Sequence, residues 1–163
     1  MLRPLRPDDA TETYSRWFDD PAVAPHIVAA RSAHDVLHLR RYVEERVGRN
    51  DVLFLGIFTS DGATHIGNVK YEPVDEHAGF AVMGILIGES AWRGQGVAEE
   101  VIVASARWLQ TRRGIRNILL GVDTNHGAAI AAYEKIGFRI EASAHIRVGD
   151  DALSMVWHMD AHS

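Results

Sequence analysis

The chain has 163 residues, 47% hydrophobic and 24% charged, enough for one domain that buries its own core. It has no cysteine, which excludes disulfides, thiolate nucleophiles and cysteine-ligated zinc. A formal net charge of -5 argues against a protein built for nonspecific nucleic-acid binding. The start Met1-Leu2-Arg3-Pro4 has no apolar signal core and no apolar run approaches a membrane span, so a cytoplasmic protein with no membrane partner is expected. Repeats, low-complexity segments and linkers are absent, giving a single domain over residues 1–163.

Leu2 to Leu5 reads as a short strand. Pro7-Asp8-Asp9 opens a helix whose apolar face is Ala10, Tyr14, Trp17 and Phe18, ending at Asp20-Pro21. A loop follows to Arg31. Ser32 with Asp35 resembles a capping box for a second helix carrying Val36, Leu39, Val43 and Val47, with Gly48 as its stop. His34 and His38 share a face of that helix at a spacing zinc sites use, but no third ligand is evident and no metal is expected.

Val52 to Thr59 is a continuous apolar run of strand length, and His65 to Val74 a second strand behind the turn Ser60-Asp61-Gly62. The turn 75–79 leads into Phe80 to Ile87. A long helix runs from about Gly96 to Thr111, with Val97, Val101 and Trp108 on one ridge and Ile102 and Leu109 on the next; Trp108 is expected in the core. Arg116 to Val122 is a buried strand, and Ala128 to Ile136 a helix stopped by Gly137. Apolar residues then alternate from Phe138 to Val148 and from Leu153 to Met159 around Gly149-Asp150-Asp151, which predicts a hairpin with one face on the core. Its exposed edges are compatible with a homodimer. The order implies an α/β fold: a mixed, mostly antiparallel central sheet with helices on both faces.

Between the strand ending at Ile87 and the long helix lies Trp92-Arg93-Gly94-Gln95-Gly96-Val97-Ala98. Two glycines strip side chains from the turn, and the helix start leaves N–H groups without intrahelical partners at the positive end of its dipole. The turn is a seat for phosphates. A dinucleotide fingerprint would need glycine at position 99, which is Glu99, and a phosphate-binding loop of NTPases needs Gly-Lys-Ser/Thr, which is absent.

This order of elements, with Arg93, Gly96 and Ala98 matching the pattern Arg/Gln-x-x-Gly-x-Gly/Ala, resembles the GCN5-related N-acetyltransferase superfamily. Ala129 to Phe138, ending in Tyr133-Glu134-Lys135-Ile136-Gly137-Phe138, resembles that family's second signature. Asp20-Pro21-Ala22-Val23 is similar to a segment of the RimJ/RimL-like branch, which holds ribosomal-protein N-terminal acetyltransferases. The resemblance implies a sheet splayed at its middle and acetyl-CoA as acyl donor. It implies the pyrophosphate on the N–H groups of Arg93, Gly94, Gln95, Gly96, Val97 and Ala98, and the pantetheine along Ile85, Leu86 and Ile87. It implies Tyr133 as the group that protonates the departing thiolate, with an N–H of the strand at the thioester carbonyl.

Two positions depart from the pattern. The family's CoA-contacting asparagine falls at His126 on an ungapped count, with Asn125 one step earlier. The ribosomal enzymes' basic glutamate falls at Gly121, so the base stays open among Asp123, Glu89, His65, His77 and a water chain, with Glu72 a weaker choice; Asp123 also reads as a turn cap. The resemblance implies a primary amine as acceptor: an amino sugar or other small molecule, or a protein N-terminus. It is expected near the loop 21–31, the hairpin Asp75-Glu76-His77 and the final hairpin. The alternative is a non-catalytic CoA-binding regulatory module.

Overall fold

The computed structural model describes residues 1–23 and 35–159. Most of the expected loop 21–31, Ser32 of the capping box and His34 lie outside the described residues. The elements are β1 (Leu2–Pro4), α1 (Glu12–Trp17), α2 (Val36–Glu44), β2 (Leu53–Phe58), β3 (His65–Asp75), β4 (Phe80–Ile87), α3 (Val97–Arg113), β5 (Asn117–Asp123), α4 (Gly127–Ile136), β6 (Arg139–Ile140) and β7 (Ala152–His158). They build a sheet in the order β1-β2-β3-β4-β5-β7-β6. Every neighbouring pair is antiparallel except β4 and β5.

The two sheet faces are covered separately. On one, Tyr71, Ile118, Leu120 and Phe138 join Ile102 and Leu109 of α3 in the main core. The Tyr71 and Ser105 hydroxyls meet there at 2.8 Å, and Ser105 donates to the Val101 carbonyl at 2.6 Å, so both buried hydroxyls are satisfied. On the other face α1 and α2 bring Tyr14, Trp17, Phe18, Leu39 and Val43 over the sheet beside Phe54 and Leu86. The mixed sheet with helices on both faces is the expected one.

Four local expectations change. Residues Pro7–Asp9 form a separate 3-10 turn, because Ala10 is extended and Asp9 is committed to Arg3 and to the Arg6 N–H. Asp35 is the N-cap of α2, accepting from the His38 N–H at 2.9 Å and lying 2.8 Å from His38 Nδ1; the helix ends at Glu44 and Val47 is exposed. Trp108 is 46% exposed, not core. The buried stripe of α3 centres on Ile102, Ser105 and Leu109, and Trp108 falls past its edge beyond Val101.

The fourth change is the C-terminal hairpin. Arg139–Ile140 pairs with β7, opposite Val156 and Met155, the Glu141 N–H adds one bond to the Ser154 carbonyl at 3.1 Å, and Ile140 is exposed. The chain then leaves the sheet edge and crosses back over its face. His145 stacks on Phe80 at 4.0 Å, and Ile146 packs with Phe80, Leu119 and Val156. Those apolar side chains cover the sheet without extending it. Along β7 Leu153, Met155 and Trp157 keep the expected face on the main core, with Met159 following the strand, while Val156 is buried on the other face.

Candidate functional site

β4 and β5 pair only at Phe80–Asn117, Ala81–Ile118 and Val82–Leu119. Beyond that β4 stays with β3 and β5 with β7, so their facing edges part into a gap that widens toward Ile87 and Asp123. The Gly88 N–H donates to the Ile66 carbonyl at 2.8 Å, which makes the neighbouring Ile87–Gly67 pair a non-hydrogen-bonded one. Ile85 and Ile87 therefore turn their N–H and C=O groups into the gap, while Leu86 spends its own on β3. The side chains of Ile85 and Ile87 pack with α3, and Leu86 packs with α1 and α2.

The mouth of the gap carries the glycine turn. Gly94 and Gly96 sit at φ +72° and +79°, and a Cβ built on either would meet nothing within 4 Å. The left-handed backbone selects glycine and leaves open space where side chains would stand. α3 starts at Val97, and its first bond runs from the Glu100 N–H to the Gly96 carbonyl at 3.1 Å. The N–H groups of Val97, Ala98 and Glu99 thus have no acceptor inside the helix. Glu99 puts a carboxylate in that first turn, countered by Lys135 at 3.4 Å. Gln95 lies between the two glycines.

Arg93 works differently from its neighbours. Its guanidinium folds back, donating to the Ile87 carbonyl at 2.9 Å, the Gly88 carbonyl at 3.0 Å and Asp20 Oδ2 at 3.1 Å. It ties the turn to the end of β4 and to the segment after α1. The Ala22 N–H and Arg93 together hold the Asp20 carboxyl below its ordinary pKa. Asp20 has no chemical signature in the sequence as a partner of this turn; only the fold brings the two together.

The remaining predicted residues cluster on the β5 side. Asp123 ends β5; its Oδ1 accepts the Asn125 N–H and its carbonyl the His126 N–H, both at 2.9 Å, so it shapes the turn into α4. His126 is the residue before that helix and Asn125 is exposed. Tyr133 lies on α4 with its ring 5.7 Å from Phe138, and burial pushes its pKa up, so the hydroxyl keeps its proton. Among the described residues no group hydrogen-bonds to that hydroxyl.

Three of the alternative bases are placed elsewhere. His65 is enclosed by Tyr14, Trp17 and Phe58, 2.7 Å from Asn68 Oδ1, and burial lowers its pKa; it is a packed histidine. Burial pulls the Glu72 pKa up, but the Arg46 hydrogen bond and the charges of Lys70, Arg46 and Arg49 outweigh it and bring it below its usual range. His77 stands in the β3–β4 hairpin, where β4 and β5 are still joined. The hairpin Asp75-Glu76-His77, expected near the acceptor, thus lies at the joined end of β4 and β5, away from the gap. A cavity of about 940 Å³ lined by Asp51, Asp75, Glu76, His77 and Arg113 belongs to this closed end. Glu89 follows β4 and lines a smaller cavity of about 190 Å³ with Arg16, Trp17 and Asp20. At Gly121 an added Cβ would meet Val148 Cγ1 at 3.2 Å.

Among the described residues no helix is long and apolar enough to cross a membrane, and no group of three or more His, Cys, Asp or Glu could hold a metal ion. A family model described as Acetyltransferase (GNAT) domain matches residues 1–139. The chain is 32% identical over 89 residues to mycothiol acetyltransferase from Salinispora arenicola, covering 53% of this chain and 29% of that protein. It therefore spans less than a third of the length of that curated relative. Among solved structures it is similar to a chimera of the spermidine N-acetyltransferase SpeG from Vibrio cholerae and hSSAT, with TM-score 0.80 and 17% identity over 97% of this chain and 94% of that one. It is also similar to RimL, a ribosomal L7/L12 alpha-N-protein acetyltransferase in complex with coenzyme A, with TM-score 0.80 and 14% identity over 98% and 94%. These structural likenesses establish the fold.

Proposed function

Because the chain belongs to the Acetyltransferase (GNAT) domain family, we propose that it moves an acetyl group from acetyl-CoA to a primary amine, directly, with both substrates bound. The observation that carries this reading is the parted edge between β4 and β5, with a glycine turn and a helix start at its mouth. The backbone of Gly94 to Ala98 fits a pyrophosphate, since no side chain enters the seat at Gly94 or Gly96. The free C=O group of Ile85 and the N–H of Ile87 fit an extended amide chain laid along the strand as an added edge, which leaves the Ile85 N–H for the thioester. Asn125 and His126 border the cofactor from the β5 side.

Acetyl-CoA supplies an activated carbonyl. The chain's own work is alignment and proton handling. The amine loses a proton, its nitrogen bonds the carbonyl carbon, the carbon–sulfur bond breaks, and the sulfur takes a proton. Tyr133, kept protonated by burial, delivers that last proton. Asp123, at the open end of β5, takes the proton from the amine directly or through water. The N–H of Ile85 is positioned to stabilise charge on the carbonyl oxygen.

Release of free thiol from acetyl-CoA across an amine panel tests the reading, with Tyr133→Phe run beside the wild type. The expected result is turnover by the wild type, a kcat lower by about a hundredfold in the variant, and unchanged acetyl-CoA binding by calorimetry. Binding without release in either protein would make the chain a non-catalytic CoA-binding module. No binding would remove the reading altogether.

A further inference from the structure

We propose that the acceptor amine carries an anionic group, a carboxylate or a phosphate, close to its nitrogen, and that Lys70 is the residue that reads it. The inference deepens the acetyltransferase reading above and rests on it. The two strands bordering the gap each place a glycine on the same sheet face. Gly84 shares its face with Leu86 and Gly88, which meet α1, and Gly121 shares its face with Leu119, which packs under Ile146. Both glycines are exposed, but a Cβ at Gly121 would press on Val148 whereas one at Gly84 would meet nothing within 4 Å. The gap therefore opens to solvent over Gly84, on the face away from α3.

Lys70 is the neighbour of Gly84 on β3, and Phe54 is the neighbour of Lys70 on β2, forming one cross-strand row. Paired Cα atoms of this kind stand about 5.5 Å apart, so the Lys70 side chain flanks the opening. Its amine lies 4.9 Å from the Tyr42 ring centre and donates to the Tyr42 hydroxyl, leaving further N–H donors for a ligand. Glu72, at 3.6 Å, does not cancel the charge, because its Oε1 accepts Arg46 Nε at 2.8 Å and Arg49 approaches its other oxygen at 3.7 Å. Asp51 and Glu45 hold Arg49 and Arg46 from the outer side, at 2.9 and 3.7 Å. The carboxylate nearest Lys70 thus faces three cations. The wall across the opening is apolar, with Val148 over Gly121 and Ile146 behind it. A polycation meets over Gly84 an ammonium whose neighbouring Glu72 is already shared among three cations, whereas an anion beside the amine finds an ammonium with free donors.

The test compares each anionic amine with its neutral twin: glycine with glycinamide, glucosamine 6-phosphate with glucosamine, and spermidine as the polycation. Thiol release should give a kcat/KM roughly tenfold or more higher for the anionic member of at least one pair, the size of a hydrogen bond to a charged group, and lowest for spermidine. Which pair shows it tells carboxylate from phosphate. Lys70→Met should erase the preference, Lys70→Glu invert it and Lys70→Arg retain it, all through the acceptor KM with the acetyl-CoA KM unchanged. Faster turnover of neutral or cationic amines, or a preference that survives Lys70→Glu, would overturn this inference alone. Acetyl-CoA binding without release to any of the amines would overturn the enzyme reading with it.

Discussion

Gly96 and Gly114 offer a matched pair for testing the phosphate seat. They bracket α3, both have left-handed backbones at φ +79° and +68°, and a Cβ built on either meets nothing within 4 Å. Alanine at either position carries the same conformational penalty, about 1–2 kcal/mol for an L-residue in that region, with no added clash. For a chain of this size that lowers the thermal midpoint by about 2–8 °C, and by similar amounts in the two variants. The ligand distinguishes them. The methyl at position 96 stands where a phosphate oxygen would approach the N–H groups of Val97 and Ala98, and loss of one hydrogen bond to a charged oxygen is worth about 1.5–3 kcal/mol, or ten- to hundredfold in affinity. The methyl at position 114 stands at the far end of the helix. Calorimetric titration with acetyl-CoA should show Gly96→Ala weakened by at least tenfold and Gly114→Ala at wild-type affinity. Equal affinities in the two variants, at equal stabilities, would refute the placement of the diphosphate on this turn.

Asp123→Asn keeps an oxygen for the Asn125 N–H, so the thermal midpoint should stay within about 1 °C while kcat/KM falls about a hundredfold; an unchanged rate would leave Asp123 as a turn residue only. Gly88→Ala would put a Cβ 2.0–2.4 Å from the Trp17 ring, which His65 and Tyr14 back at 4.8 and 5.2 Å, so the variant should lose about 2 kcal/mol or more and melt at least about 4 °C lower in a thermal scan. His65 is held below its unfolded pKa by burial, so the unfolded chain binds more protons between the two values. Its stabilising contribution is complete above about pH 6.5 and is lost as pH falls from there toward the folded value. His65→Gln should flatten the fall in thermal midpoint between about pH 7 and 5 relative to wild type, and an unchanged slope would show that His65 does not titrate in that range.

The sequence made legible whatever depends on local pattern. The continuous run 52–59 gives β2, the amphipathic spacing after Gly96 gives α3, and Gly94 and Gly96 occupy the backbone region their type foretells. Alternation failed as a guide from Phe138 to Val148, since an apolar side chain satisfies the period equally by pairing in a strand or by crossing a sheet face. What sends His145 and Ile146 over Phe80 is the apolar surface exposed there, a property of the assembled sheet. Trp108 misled for a related reason: position on a wheel is local, whereas the centre of the buried stripe is set by where Tyr71 and Ile118 lie beneath it.

The site shows the same division. The glycine turn proposed as the phosphate seat is a run of consecutive residues, and its backbone could be read directly. The Arg93–Asp20 tie joins positions 73 residues apart, and the row Phe54, Lys70, Gly84 exists only once two hairpin registers are fixed. A slip of one residue in either register would turn Lys70 into the core and Tyr71 to the surface, which the Tyr71–Ser105 hydroxyl pair against α3 forbids. The buried hydroxyl on one face thereby fixes where the charge stands on the other. The residues proposed to bind the donor follow from the chain's linear order, and those proposed to choose the acceptor follow from register.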